Sequence, residues 1–135
     1  MYTKGEDLIH RDFSYRIAGL LFTTHNTLGR YCREKQYGNF LETVLKQERI
    51  QYVREYPLGR TGNIVDFIVK NENNEYILIE LKAKTILTKE DYLQTQRYLQ
   101  CINIPLAILV NFRQTYLKPH RIIKIERHNR KHHIR

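Results

Sequence analysis

A chain of 135 residues has the size of one ordinary domain, long enough to bury a core. Lysine and arginine outnumber aspartate and glutamate by 23 to 14, a net charge of +9. That balance favours a polyanionic partner, nucleic acid or an anionic membrane surface, without choosing between them. No stretch approaches the ~20 apolar residues that cross a bilayer, and the opening MYTKGEDLIHRDF has no apolar segment of signal-peptide length. Neither a membrane span nor a secretory leader is expected, and a cytoplasmic location is. Cys32 and Cys101 have neither metal-ligand spacing nor a disulfide framework, so they read as reduced thiols without a role.

The first predicted element runs from about Asp12 to Leu28, where Ile17, Leu20, Leu21, Thr24 and Leu28 fall at helical spacing and Gly29 offers a stop. A second helix is expected from about Arg33 to Arg49 on the series Tyr37, Phe40, Leu41, Val44, Leu45, with Gly38 as a local weakness. Three segments rich in β-branched and aromatic residues follow: Gln51 to Leu58, Asn63 to Lys70, and Glu75 to Lys84. Gly59 to Gly62 and Asn71 to Asn74 separate them, which gives a β-meander. Thr88 and Asp91 form a capping pattern ahead of a third helix, Lys89 to Gln100. Pro105 to Phe112 is a uniformly apolar buried strand, and His120 to Glu126 an edge strand. The order is α-α-β-β-β-α-β-β, an α/β (α+β) class with a central mixed sheet flanked by helices.

The pairing of the second and third strands decides where the acids lie. A hairpin loop of Glu72, Asn73 and Asn74 needs one left-handed residue, which asparagine tolerates. Position 71 then faces 75, Val69 faces Ile77, Phe67 faces Ile79 and Val65 faces Leu81, an apolar face. The opposite face pairs Ile68 with Leu78, Asp66 with Glu80, and Ile64 with Lys82. A register slip of one would scatter both sets. Two opposed carboxylates with Cβ atoms about 5 Å apart repel unless something neutralises them, and a hard divalent cation does so. Lys82, on the same face, could polarise a phosphate or orient a water. An ordinary solvated hairpin face, on which Lys82 and Lys84 offset the acids, has the same pattern.

The chain resembles the PD-(D/E)XK nuclease superfamily, and more closely its small GxxExxY family, from about Asp7 to Ile125. The matching pieces, in order, are His25-Asn26-x-Leu28-Gly29, Glu34-x-x-Tyr37, Asp66-Phe67-Ile68-Val69, Ile79-Glu80-Leu81-Lys82-Ala83, Gln94-x-x-x-Tyr98-Leu99 and Val110-Asn111-Phe112. Tyr31 stands where that family's motif opens on glycine, and no proline precedes Asp66. The resemblance implies a restriction-endonuclease-like core and a metal-dependent nuclease. Asp66 and Glu80 would bind Mg²⁺ or Mn²⁺ with a carbonyl near Leu81, joined by the acid Glu34. Lys82 would be the catalytic lysine, with Gln94 and Tyr98, four apart on one helix face, supporting the site or the substrate backbone. His25, late in the first helix, reads as a carbonyl cap.

From Lys118 onward there are seven lysines and arginines against Glu126 alone. Lys84, Lys118, Arg121, Lys124 and Arg127 are the candidate phosphate contacts. The domain is expected over 1–127, with a basic tail at 128–135. The expected partner is nucleic acid, DNA ahead of RNA, and two strands cut by two sites would make a homodimer useful. The alternatives are a catalytically inactive nucleic-acid-binding module on the nuclease fold, or a basic interaction subunit of a larger complex.

Overall fold

The computed structural model describes residues 9–126; the tail expected at 128–135, and Arg127 with it, lie outside the described residues. Helix α1 spans Arg11–Leu28 and buries Phe13, Ile17, Leu21 and Thr24, one face at helical spacing. It stops at Gly29, whose φ of 79° suits glycine and whose N–H returns to the His25 carbonyl. Helix α2, Glu34–Gln47, buries Tyr37, Leu41, Val44 and Leu45. Both helices pack on one face of the sheet.

Strands β1 (Gln51–Pro57), β2 (Ile64–Lys70) and β3 (Tyr76–Lys82) form the expected antiparallel meander. Helix α3, Lys89–Ile102, crosses over to β4 (Leu106–Asn111), which lies parallel to β3, and β5 (His120–Ile123) closes the far edge antiparallel to β4. Among the described residues the sheet has five strands in the order β1-β2-β3-β4-β5. No helix there is long and apolar enough to cross a membrane. Element order and mixed sheet agree with the restriction-endonuclease-like core expected from the sequence.

The α1–α2 face of the sheet is the larger core, with Phe67, Val69, Ile77, Ile79, Leu81, Ile108 and Val110 against Ile17, Leu21, Tyr37 and Leu41. Full burial of each such side chain contributes about 1.5–3 kcal/mol. The opposite face packs Ile68, Leu78 and Ala107 under Tyr98 and Leu99 of α3. Val65 departs from expectation by joining this second cluster rather than the first. The alternation breaks at Asp66, which is the residue of β2 with no ladder partner in β1 or β3 and which lies at the register of the left-handed Glu55 (φ 57°).

Two strands, β3 and β5, end two or more residues earlier than expected, and side chains explain both. After Lys82, Asn111 takes over main-chain pairing by accepting from Lys84 N–H (3.0 Å) and donating to its carbonyl (2.8 Å). After Ile123, Gln96 of α3 accepts from Ile125 N–H at 2.8 Å and draws the chain off β4.

The hairpin follows the expected register: Phe67 pairs with Ile79 and Val69 with Ile77. Asn74 carries the left-handed residue (φ 60°), and the Asn71 side chain accepts from Asn73 N–H (3.0 Å) and Glu75 N–H (2.9 Å). Asn74→Ala should lower unfolding free energy by about 1 kcal/mol, and Asn71→Ala by about 1 to 2 kcal/mol for its orphaned amides. Asn74→Gly should stay within about 0.5 kcal/mol of wild type. Urea denaturation measures all three.

Candidate active site

The backbone pairing of β2 with β3 runs from Lys70–Tyr76 to Phe67–Ile79 and stops at the position where the two acids meet. There the carboxylates replace the ladder. Asp66 N–H donates to Glu80 Oε2 at 2.8 Å, and Leu81 N–H donates to Asp66 Oδ2 at 2.7 Å. Each acid is thus fixed by an amide, Glu80 by that of the opposite strand and Asp66 by the one that follows Glu80. Among the described residues nothing donates to the second oxygens, Asp66 Oδ1 and Glu80 Oε1.

Glu80 is buried and Asp66 partly so. Burial pushes both carboxyls up, Asp66 to about 6, with the nearby Glu34 charge adding to the rise, and Glu80 to about 8, with the Asp66 charge adding to it. At neutral pH the pair retains a proton, because two adjacent anions in a dry site are costly. Two fixed carboxylates with one uncommitted oxygen each are a hard-oxygen donor set. This fits a Mg²⁺-like cation that keeps several waters and takes substrate oxygens as well. Among the described residues no group of three or more histidine, cysteine, aspartate or glutamate side chains is arranged to hold a metal ion, so Glu34 does not stand with Asp66 and Glu80 as a third ligand.

Glu34, the first residue of α2, lines a cavity of about 380 Å³ with Asp66, Gly38, Arg54, Glu55 and Leu81. Its Oε2 accepts from Ala83 N–H at 3.3 Å, so the helix start is tied to the chain just past Lys82. Tyr37, one turn on, is fully buried. Its ring stacks on Phe112 (4.1 Å between centres), its hydroxyl donates to the Gly29 carbonyl (2.6 Å), and it accepts from Cys32 N–H (3.2 Å). These contacts hold the turn that delivers Glu34.

Lys82 points to α3, where its ammonium donates to Gln94 Oε1 at 3.4 Å and lies 3.9 Å from Asp91 Oδ1. Tyr98 is buried one turn beyond Gln94 and close enough to Glu80 and Asp66 that, after burial itself, their charges raise its hydroxyl. The structure therefore brings Asp66, Glu80, Lys82, Glu34, Gln94 and Tyr98 into one region.

The predicted phosphate contacts are dispersed. Lys84 bonds Asp91 at 2.9 Å. Arg121 donates to Ser14 Oγ and to the Ile9 carbonyl, and Lys124 donates to Asn103 Oδ1. Lys118 lines a separate cleft. His25 Nε2–H donates to the Gln114 carbonyl at 2.9 Å, a loop anchor rather than a helix cap.

Three supporting residues escaped sequence reasoning. Asp91 was read only as a cap; burial alone would raise it, yet bonds from Thr88 and Lys84 hold it below the usual carboxylate range, so it stays anionic between two lysines. Arg54 bonds Asn39 and Glu42 (2.8 and 2.9 Å), its guanidinium lies 5.5 Å from the Phe67 ring centre, and its charge lowers Asp66. Gly38 makes room for it, since a Cβ there would meet Arg54 Nη2 at 2.5 Å. A glycine inside a helix costs about 1 kcal/mol against alanine, and that cost was the available signal of a close approach.

The acid pair binds protons more tightly folded than unfolded. Its favourable contribution is therefore complete below the ordinary carboxylate range, about 4, and is lost as pH rises toward about 8, where Glu80 ionises. In EDTA, Glu80→Gln should melt several degrees above wild type at pH 8 and close to it at pH 4, measured by thermal denaturation. A difference independent of pH would mean that Glu80 binds its proton no more tightly in the folded protein than in the unfolded chain.

The family model of the PD-(D/E)XK nuclease superfamily matches residues 11–125. A comparison with curated proteins gives no significant match. Among solved structures, the crystal structure of SSO0001 aligns with a TM-score of 0.48 at 19% identity, over 87% of this chain and 62% of that one. The match to the family model covers most of the chain, all five strands and all three helices described, and the chain belongs to the PD-(D/E)XK nuclease superfamily.

Proposed function

We propose that this protein is a metal-dependent nuclease of the GxxExxY type that hydrolyses phosphodiester bonds, with DNA the favoured substrate and Mg²⁺ or Mn²⁺ the cofactor. The observation that carries the reading is the exchange of ladder hydrogen bonds for carboxylates at Asp66 and Glu80, which fixes two neighbouring acids and leaves one oxygen of each without a donor. Asp66 and Glu80 would hold the cation, with Glu34 acting from α2 through its waters. When bound, the ion supplies Lewis acidity that activates water and neutralises phosphate charge.

The chain's own residues do the rest. Lys82 is steadied by Gln94 through one proton and keeps others for the non-bridging phosphate oxygens, where charge develops as water attacks and the P–O bond breaks. Asp91 keeps a negative charge 3.9 Å from the Lys82 ammonium and helps to hold it beside Gln94. Tyr98 is buried in the cluster beneath α3, near enough to Glu80 and Asp66 for their charges to reach its hydroxyl. The proton held by the acid pair at neutral pH must leave when the cation binds, so acid competes with metal.

The decisive assay incubates the protein with labelled single-stranded, duplex and branched DNA and with RNA, in Mg²⁺, Mn²⁺ or EDTA. Cleavage should require the metal, and Lys82→Ala should slow it by about 10²-fold or more. Glu80→Ala should abolish it, and Gln94→Ala should lower kcat by about tenfold with little change in KM. The Mg²⁺ concentration for half-maximal rate should fall as pH rises from about 6 to about 8. Cleavage that survives EDTA or both the Lys82 and Glu80 substitutions would sink the mechanism. Tight binding of every nucleic acid without cleavage of any would favour the inactive binding module instead.

A further inference from the structure

Past the end of β3 the chain builds a cleft of about 900 Å³, larger than the one that Glu34 and Asp66 line. Three connections shape it: the turn between α1 and α2, the segment after β3, and the link from β4 to β5. Its cations are Arg30, Arg113 and Lys118, and among the described residues no aspartate or glutamate lines it. Arg30 and Arg113 hold each other: each Nε–H donates to the other's main-chain carbonyl at 2.9 Å. Carbonyls orient these guanidiniums without neutralising them, which leaves a preorganised pair of positive charges.

Aromatic rings surround the same cleft. Tyr116 is 87% exposed, Tyr31 76% and Tyr92 37%, whereas Tyr37, Phe67 and Phe112 are fully buried in the core. Arg30 lies 4.9 Å from the Tyr31 ring centre, and the Tyr92 ring meets His120 edge-on at 5.7 Å, so these two rings are already positioned. Arginines beside exposed rings bind phosphates and stack bases. A duplex offers such a surface only its phosphates, since its bases stack on one another; an unpaired strand offers both.

The cleft is also linked to Glu34 through one residue, Ala83. Ala83 N–H is held by Glu34, and the Ala83 carbonyl accepts from Arg113 at 3.3 Å. A strand lying in the cleft therefore runs past the residue that follows Lys82.

We infer that this cleft binds an unpaired strand of the nucleic-acid substrate, with phosphates on Arg30, Arg113 and Lys118 and bases stacked on Tyr31, Tyr92 and Tyr116. The inference rests on the nuclease reading for its substrate class, but binding is measured apart from cleavage. Tyr31 stands where the resembled motif has glycine, so its ring is not part of that motif.

The test measures fluorescence anisotropy of the full chain in EDTA with a labelled single strand of about 12 nucleotides and with the duplex of the same sequence. Tyr31 and Tyr116 are exposed, so the double substitution Tyr31→Ala/Tyr116→Ala should leave the fold intact. It should weaken single-strand binding by about tenfold or more and leave duplex binding within about twofold. Tyr31→Phe/Tyr116→Phe should retain the wild-type affinity, because the ring and not the hydroxyl stacks. Arg113→Gln should lower the slope of log affinity against log salt by about 1. Unchanged single-strand affinity in the alanine double variant would overturn the inference, as would equal losses for single strand and duplex. So would poly-glutamate competing as well as the oligonucleotide. Tyrosine-dependent strand binding without Mg²⁺-dependent cleavage would support the cleft and remove the nuclease reading; intact cleavage with tyrosine-independent binding would do the reverse.

Discussion

Two amide protons in the interior of a sheet, those of Asp66 and Leu81, have carboxylates as their acceptors. The rest of the site follows from that substitution. An antiparallel ladder satisfies its own donors, so side chains can enter the gap only if they accept the bonds that the ladder gives up. Asp66 and Glu80 do so, and the same bonds deny them the rotation that would carry them into water. The acids are therefore held against their mutual repulsion by a folding constraint, and the raised affinity for a proton is the electrostatic consequence. Deleting either side chain would leave an amide without its partner, at about 1–3 kcal/mol, as well as removing a charge.

The surrounding elements make the gap tenable. On one side α2 begins with Glu34 bonded to the Ala83 amide, and Gly38 admits Arg54, whose charge lowers Asp66. On the other, α3 presents Asp91 and Gln94 to Lys82 and Tyr98 to the acids. Parallel pairing of β4 with β3 sets Asn111 beside Lys82, so its side chain can carry the main-chain bonds of Lys84 after the strand ends. Two helices from distant parts of the sequence converge on one hairpin. The mixed sheet is what permits this, since a crossover helix can return to the far side of β3 only through a parallel neighbour.

Local pattern was enough to read the hairpin. The apolar pairs Val69–Ile77 and Phe67–Ile79 admitted one register, and a loop with asparagine in the left-handed position agreed with it. What pattern could not reveal was that the ladder stops at Asp66, because that depends on side-chain acceptors rather than on hydrophobicity. For the same reason Val65 was assigned to the wrong face: alternation assumes an unbroken ladder, and the ladder is interrupted at Asp66. Gly38 looked like a defect in a helix and is an opening for Arg54. Asn111 lay within a run of apolar residues and gave no sign that its amide would bond Lys84 across the sheet. Contacts between residues far apart in sequence leave such traces only when the fold is in hand.

Charge shows the same limit from another direction. A net charge of +9 and a basic run near the C-terminus directed attention to Arg121 and Lys124 as phosphate contacts. In the fold these two cations hold Ser14, the Ile9 carbonyl and Asn103, and Lys84 is engaged by Asp91. Lys84 is offset by a carboxylate, whereas Arg121 and Lys124 are anchored at separate places and are not gathered on one surface. Arg30 and Arg113 sit in stretches that no composition window singles out, yet they face a cleft without carboxylates and bond only carbonyls. A guanidinium whose donors end on neutral carbonyls keeps its full charge for an incoming anion. The attraction of this surface for phosphate is therefore set by how its cations are partnered, and not by how many the sequence contains.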